Sequence, residues 1–259
     1  MTETDPQAVT VVNESGASPI VLLCEHASNH IPARFGTLGL APAELERHIA
    51  YDIGAALVAR QLAQRLDAVL ALAGYSRLLI DCNRPLDAPG SIPVRSEATD
   101  IPGNRNLSPA DRAERDRLFF APFRTRVAAL LDARRAAGRP TVLIGMHSFT
   151  PVFLGIARPW QAGVLYRRAQ HLAAVLLDAL AEDPTLIVGA NEPYRVTEAG
   201  DYTVPHVGEV RGLPTALFEV RQDLIADAAG AAAWAGRLGH VLARVAADPG
   251  AVAALAPAT

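Results

Sequence analysis

The sequence predicts an α/β protein of three layers, in which helices cover both faces of a mostly parallel central sheet. Short, continuous apolar runs, which are typical of buried parallel strands, alternate with longer segments whose apolar residues recur at helical spacing. This alternation continues along most of the chain and favours parallel strands joined by crossover helices. Half of the residues are hydrophobic, which is enough to build a large buried core.

The first half of the chain supplies three predicted strands and one helix. Residues 1–18 are polar and acidic and are expected to form a flexible leader before a single α/β domain over residues 19–259. The helix is predicted because Ile49, Ile53, Leu57, Leu62 and Leu66 share one face. The predicted elements are the strand Ile20–Cys24, the helix Ala43–Leu66 and the strands Ala68–Leu72 and Leu78–Cys82.

The second half begins with a long polar segment rich in proline, Asn83–Asn106, which predicts a loop able to cap a binding crevice. A charged amphipathic helix follows, with Ser108 as its expected N-cap. An irregular segment is expected over residues 191–207. The other predicted elements are the helices Pro109–Ala137, Arg168–Leu180 and Ala228–Ala247 and the strands Thr141–Gly145, Ala162–Leu165, Leu186–Gly189 and Thr215–Val220.

The overall composition argues against several classes of protein. A net charge of −3 and a pI near 6.2 are unlike those of a nucleic-acid-binding protein, which usually carries a basic face. No apolar stretch has the length of a membrane span, and the N-terminal segment lacks the features of a signal peptide. Cys24 and Cys82 lie in apolar runs and are expected to be buried thiols. We therefore expect a cytoplasmic protein without nucleic-acid or membrane partners; the sequence does not indicate its oligomeric state.

Ionisable and amide side chains follow several of the predicted strands. In an open parallel sheet, ligands bind beyond the carboxyl ends of the strands, so these groups are expected to converge on one crevice. The segments are Glu25-His26-Ala27-Ser28-Asn29-His30, Asp81-Cys82-Asn83-Arg84-Pro85, His147-Ser148-Phe149, Asn191-Glu192-Pro193-Tyr194 and Glu219-Val220-Arg221-Gln222-Asp223.

Two histidines at the ends of different strands, His26 and His147, form a natural pair of metal ligands. Imidazole nitrogen suits zinc, the third ligand is commonly a carboxylate, and a catalytic zinc site keeps a fourth position open for water. Glu219, at a late strand end, is the candidate general base that takes a proton from this water. The alternative interpretation is that these histidines only hydrogen-bond to loop backbone.

Taken in order, these segments resemble the N-formylglutamate amidohydrolase family over nearly the whole chain. Each motif is weakly specific, but the ordered set is strongly so. Besides the strand-end segments, the motifs that carry the resemblance are Ile31-Pro32, which extends the first of them, Ala50-Tyr51-Asp52-Ile53-Gly54 and Met146, which precedes the His147 segment.

A more distant likeness relates the chain to the zinc carboxypeptidases and implies a similar fold, of the phosphorylase/hydrolase-like type. It implies that His26 and His147 bind zinc, that Asn83 and Arg84 bind a substrate carboxylate, and that Glu219 is the general base. The pattern departs at the second zinc ligand, because Asn29 stands where a carboxypeptidase has glutamate. We therefore favour Asp52 as the third ligand, with Asn29 or Glu25 as alternatives.

Further side chains are candidates for contacts with the substrate. Arg84 and Arg221 can each clamp a carboxylate, because guanidinium groups bind carboxylates through paired hydrogen bonds. Arg221 could instead pair with Glu219. His206 could polarise the carbonyl or protonate the leaving group, and Asp81 is expected to orient other groups. Ser148 and Tyr194 complete the set of candidate substrate contacts.

The resemblance implies a metal-dependent amidohydrolase that cleaves the N-formyl or a related N-acyl amide of a small acidic amino acid. Zinc is the expected metal, with another divalent metal as the alternative. N-formyl-L-glutamate would yield formate and glutamate, a step in histidine breakdown. Two alternatives stay open: a carboxypeptidase-like hydrolase of other small amides, and a non-catalytic protein that binds an acidic metabolite. A binding protein gains nothing from a base at the position of Glu219, so this residue distinguishes an enzyme from a non-catalytic binding protein.

Overall fold

A seven-stranded sheet forms the middle layer of the computed structural model, which describes residues 5–255. In chain order the strands are β1 (Val9–Val12), β2 (Ile20–Cys24), β3 (Val69–Ala73), β4 (Arg95–Ser96), β5 (Thr99–Asp100), β6 (Val142–Phe149), β7 (Val152–Phe153), β8 (Ile156–Ala157), β9 (Ala162–Tyr166), β10 (Val188–Ala190) and β11 (Thr215–Arg221). The helices are α1 (Ala55–Leu66), α2 (Pro109–Arg115), α3 (Ala121–Ala136), α4 (Gln170–Ala181), α5 (Ala228–Ala247) and α6 (Pro249–Val252).

The order of strands across the main sheet is β1-β3-β2-β6-β11-β9-β10. Strands β3, β2, β6 and β11 are parallel to their neighbours within this group, and β10 is parallel to β9. The pairs β1–β3 and β11–β9 are antiparallel. The sheet is therefore mostly parallel, as the sequence predicts, and its central strands end at one edge.

Apolar side chains alternate between two cores, one on each face of the sheet, because successive strand residues point to opposite sides. Leu22 and Ile144 pack with α1, α4 and α5, whereas Val21 and Leu143 pack with α3 and the turn before it. The result is the predicted three-layer α/β/α architecture. Cys24 and Cys82 are both buried free thiols. Within residues 5–255, no helix is long and apolar enough to cross a membrane.

Five predicted elements differ from the structure, and four of them differ only in part. Val9–Val12, expected within a flexible leader, pairs with β3 as an edge strand; residues 1–4 and 256–259 lie outside the described residues. The first helix begins at Ala55 and not at Ala43, since Gly54 adopts a left-handed φ of 78° that interrupts it. The second runs through a π-helical turn at Asp116–Phe120, with Ser108 as the predicted N-cap. The expected loop contains the β4–β5 hairpin.

Leu78–Cys82 is the clearest departure, because this apolar run forms turns and not a strand. Leu78, Leu79 and Ile80 are nevertheless buried in the core. The carbonyl of Leu78 accepts from Asn104 Nδ2 at 2.8 Å, and that of Leu79 accepts from Arg115 Nη1 at 2.9 Å. Side chains thus replace the sheet partners that the backbone of a buried apolar segment otherwise needs.

Candidate functional site

Three buried side chains meet at the carboxyl edge of the sheet. His26 follows β2, and His147 lies near the end of the neighbouring strand β6. Asp52 comes from the segment before α1, where its N–H donates to the carbonyl of His26 at 3.0 Å. Ser148 Oγ donates to the carbonyl of Ile53 at 2.8 Å and anchors the same segment. The sheet therefore places both histidines, and backbone contacts bring Asp52 to them.

The geometry of His26, Asp52 and His147 fits a metal ion. Asp52 Oδ2 lies 2.8 Å from His147 Nδ1 and 3.2 Å from His26 Nδ1, and the two Nδ1 atoms are 3.2 Å apart. Tetrahedral zinc, with bonds of about 2.0–2.1 Å, holds its ligand atoms about 3.3 Å apart. All three residues are at most 3% exposed. One cation among these three atoms would satisfy them together.

A network around Asp81 sets the orientation of His26. Asp81 Oδ1 lies 2.7 Å from His26 Nε2, which leaves Nδ1 facing Asp52 and His147. Arg77 holds the other oxygen of Asp81 through Nε at 3.0 Å and Nη2 at 2.6 Å. Its Nη1 also lies 3.4 Å from Asp52 Oδ1. Asp81 thus contacts a histidine of the group, and its orienting role stays a prediction. Arg77 is a residue of this network that the sequence did not indicate.

The two alternative ligands differ in their surroundings. Glu25 Oε2 lies 3.2 Å from His147 Nε2, on the side of the ring away from Asp52, while Oε1 accepts a hydrogen bond from Thr203 Oγ1. Asn29 Nδ2 donates to the carbonyl of Leu45 at 3.0 Å. Glu25 therefore contacts the site through His147, and Asn29 is directed to a neighbouring loop.

Charge at the site also favours a cation. Glu25, Asp52, Asp81 and Glu219 are all buried, which ordinarily penalises charged carboxylates. Burial opposes protonation of His147, yet the charges of Glu25 and Asp52 hold its pKa well above the usual value. The pKa of Asp52 is lowered against the effect of burial, chiefly by the charge of His26. These carboxylates favour positive charge at the histidines, and a metal ion would supply that charge in place of protons.

Glu219 lies beside this group, because β11 and β6 pair with Glu219 opposite His147. The residue is 7% exposed, and its Oε2 has no hydrogen-bond partner within residues 5–255. Burial raises the pKa of Glu219 to about 7. Glu219 therefore has the unpaired oxygen and the near-neutral pKa that suit a general base.

Asn83 and Arg84 lie near the site but already have protein partners. Asn83 Oδ1 accepts from the backbone N–H groups of Tyr202 and Thr203, which leaves only its Nδ2 to donate to a ligand. Arg84 donates to the carbonyl of Gly200 and lies 3.9 Å from Asp201 Oδ1. These contacts tie the segment after Cys82 to residues 200–203.

The remaining predicted substrate contacts also have partners within the protein. Arg221 forms a paired interaction with Asp223, through Nε at 2.8 Å and Nη2 at 3.2 Å, and none of its ion pairs within residues 5–255 involves Glu219. Ser148 donates its backbone N–H to Asp52 Oδ2 at 3.3 Å. Tyr194 is 40% exposed and accepts a hydrogen bond from Arg158. Ser148 therefore helps to hold Asp52 beside the two histidines, and Tyr194 is an exposed residue in contact with Arg158.

His206 is not brought to the group of His26, Asp52 and His147. It lies in a π-helical turn, Thr203–Gly208, and its Nε2 is 2.8 Å from the carbonyl of Glu198. Its ring lines a separate cavity of about 460 Å³ beside α3, together with Tyr202 and Arg124. The same turn brings Thr203 to Glu25, while the ring of His206 contacts Glu198. A role of His206 in polarising the carbonyl or protonating the leaving group stays a prediction.

Comparisons with known proteins agree with this architecture. A model of the N-formylglutamate amidohydrolase family matches residues 18–226. The crystal structure of a gene product from Agrobacterium tumefaciens superposes with a TM-score of 0.91 at 40% sequence identity, over 94% of this chain and 96% of that one. No curated protein sequence matches the chain.

A second solved structure, the N-formylglutamate amidohydrolase from Ralstonia eutropha, superposes with a TM-score of 0.74. The sequence identity is 21%, over 92% of this chain and 97% of that one. At this identity the match supports the fold of the chain.

Proposed function

The chain belongs to the N-formylglutamate amidohydrolase family, and we propose on that premise that it is a metal-dependent amidohydrolase. Its substrate is the N-formyl or a related N-acyl derivative of an acidic amino acid, such as N-formyl-L-glutamate. The observation that carries the proposal is the spacing of His26 Nδ1, His147 Nδ1 and Asp52 Oδ2 beside the unpaired carboxylate of Glu219. This arrangement suits hydrolysis of an amide by water.

In this proposal His26, Asp52 and His147 hold a zinc ion. Zinc bound there would lower the pKa of water and polarise the amide carbonyl. Asp81 keeps Nδ1 of His26 directed at the site by pairing with Nε2. Glu219 accepts a proton from the attacking water at Oε2 and delivers it to the leaving nitrogen. Formate and glutamate are the expected products, and the cytoplasm, with its histidine breakdown, is the expected setting.

The proposed substrate contacts surround this centre. Arg84, with the free Nδ2 of Asn83, would bind a carboxylate, and Tyr194 and Ser148 would line the site. Arg221 would contribute only if a substrate displaced its pairing with Asp223. An acidic substrate fits these contacts, because Arg84 and Arg221 carry positively charged guanidinium groups.

The first test combines zinc content with hydrolysis of N-formyl-L-glutamate before and after chelation. We expect about one zinc per chain, loss of turnover with the chelator and recovery on addition of zinc, since a catalytic site of this kind binds one ion. Bound zinc without turnover would redirect the assay to other N-acyl amino acids. A protein that takes up no metal and gains no activity with zinc would refute the proposal.

Activity is also expected to depend on the protonation of Glu219. The base must be ionised, and burial raises the pKa of Glu219 to about 7, so kcat/KM should fall as pH falls. A bound cation lowers the pKa of a nearby carboxylate, which places the acidic limb of the profile below about pH 7. Zinc content measured at each pH controls for loss of metal. A flat profile over this range at constant zinc content would exclude Glu219 as the base.

A further inference from the structure

Arg158 is held in an aromatic pocket at the mouth of the site. Its Cζ lies 4.6 Å from the centre of the Phe153 ring, 4.8 Å from that of Tyr194 and 5.8 Å from that of Phe149. Arg158 Nη1 donates to Tyr194 Oη at 2.9 Å and lies 3.5 Å from the carbonyl of Thr150. The rings and these contacts together fix the position of the guanidinium group.

The charge of Arg158 has no acidic partner within residues 5–255, where no ion pair involves it. The two protein contacts of its guanidinium use Nη1, so the edge formed by Nε and Nη2 stays available. This edge carries the two parallel N–H donors that bind a carboxylate. Arg221, by contrast, is paired with Asp223, and Arg84 donates to Gly200 and lies near Asp201.

Arg158 and Tyr194 share the sheet edge at which Glu219 lies. Gly163 pairs with Glu219 across β9 and β11, and a Cβ on Gly163 would come within 1.8 Å of the carbonyl oxygen of Glu192. The turn before Tyr194 therefore packs directly on the strand position beside Glu219. In agreement, the pKa of Tyr194 is raised by burial and also by the charge of Glu219.

We propose that Arg158, positioned by Tyr194 and the two phenylalanine rings, binds a carboxylate of the acidic substrate. Arg158 thereby determines the preference for N-acylated amino acids that carry this group. The inference deepens the proposed function and rests on it for the identity of the substrate. The carboxylate-binding edge itself follows from the contacts of Arg158.

The test measures binding and turnover separately, in the zinc-loaded protein. Calorimetry with L-glutamate and with glutarate reports carboxylate binding without any reaction. Arg158→Met keeps an unbranched apolar side chain among the rings and removes the charge. We expect it to weaken binding by about 10- to 100-fold, as when a charge-assisted pair of hydrogen bonds is lost. The affinity of Arg158→Lys should lie between those of wild type and Arg158→Met, because lysine keeps the charge without the planar edge.

Arg124→Met is the matched control. Arg124 also lies over an aromatic ring, with its Cζ 5.7 Å from the centre of Phe120, but it projects from α3 into the separate cavity. Binding by this variant should stay within about twofold of wild type, as for a surface substitution away from the site. Circular dichroism and zinc content establish that each variant is folded.

Turnover of N-formyl-L-glutamate and N-formyl-L-glutamine identifies the carboxylate. If Arg158→Met loses turnover of N-formyl-L-glutamate only, Arg158 binds the side-chain carboxylate. If it loses turnover of both substrates equally, Arg158 binds the α-carboxylate. Unchanged dicarboxylate binding in Arg158→Met, or no binding by wild type, would overturn the inference. Dicarboxylate binding that depends on Arg158, in a protein without amidohydrolase activity, would uphold the inference and reject the proposed function.

Discussion

Replacing Glu219 by Gln is expected to lower kcat on N-formyl-L-glutamate by about 10²- to 10⁴-fold, the usual contribution of a general base. Gln has the same shape but cannot accept a proton from water. Glu219 Oε2 has no hydrogen-bond partner within residues 5–255, so the substitution deprives no protein donor at that atom. We therefore expect KM and zinc content to change by no more than about threefold, which identifies a loss confined to the chemical step.

Glu209→Gln is a suitable control because Glu209 is as buried as Glu219, at 5% against 7% exposure. It accepts from the backbone N–H of Arg168 and pairs with Arg167, so its role is structural. The control should keep its kcat, while steady-state kinetics and dicarboxylate binding are compared for both variants. Intact binding without turnover in Glu219→Gln would also exclude the alternative of a non-catalytic binding protein. Retention of more than about a tenth of wild-type kcat would require another base.

The central part of the site could be predicted from the sequence because strand ends follow a simple rule. The carboxyl ends of parallel strands meet at one edge, so polar residues that follow buried apolar runs converge there. His26, His147 and Glu219 were placed together by this rule alone. Asp52 required the resemblance to a family, because it lies in a segment whose position depends on contacts with His26 and Ser148.

The rule about strand ends does not identify Arg77 or Arg158. Arg77 precedes an apolar run that was interpreted as a strand, yet the backbone of Leu78 and Leu79 is satisfied by Asn104 and Arg115. Those partners are distant in sequence, and no local pattern indicates them. A basic residue four positions before Asp81 was the available signal. For Arg158, the rings of Phe149 and Phe153 are close in sequence, but Tyr194 comes from a distant segment that only the folded chain brings to them.

The start of the first helix, predicted at Ala43, was wrong for a different reason. Apolar spacing continues through residues 49–66, but Gly54 has a positive φ and a Cβ there would lie 2.1 Å from the carbonyl of Ile225. Periodicity indicates which residues are buried, but it does not indicate an interruption of the helix between them. The interruption follows Asp52, whose N–H donates to the carbonyl of His26, and this contact brings Asp52 to the two histidines.

Asp52→Asn is expected to reduce zinc affinity by about 10³-fold or more, because an amide oxygen is a much weaker zinc ligand than a carboxylate. In the protein, Asp52 Oδ2 faces both Nδ1 atoms and also accepts from the N–H of Ser148, which fixes a carboxylate oxygen between the two histidines. Competition with a chromophoric chelator measures the affinity, and turnover should fall in parallel.

Two further variants separate Asp52 from the alternative ligands. Glu25→Gln should weaken zinc binding by only about 10- to 100-fold, the usual effect of a group that orients a ligand, since Glu25 lies beside Nε2 of His147. Asn29→Ala should stay within about threefold of wild type, because its side chain is engaged with Leu45. If Glu25→Gln or Asn29→Ala lost more affinity than Asp52→Asn, that residue would be the third ligand. Asp52 would then be a hydrogen-bond acceptor that only positions the histidines.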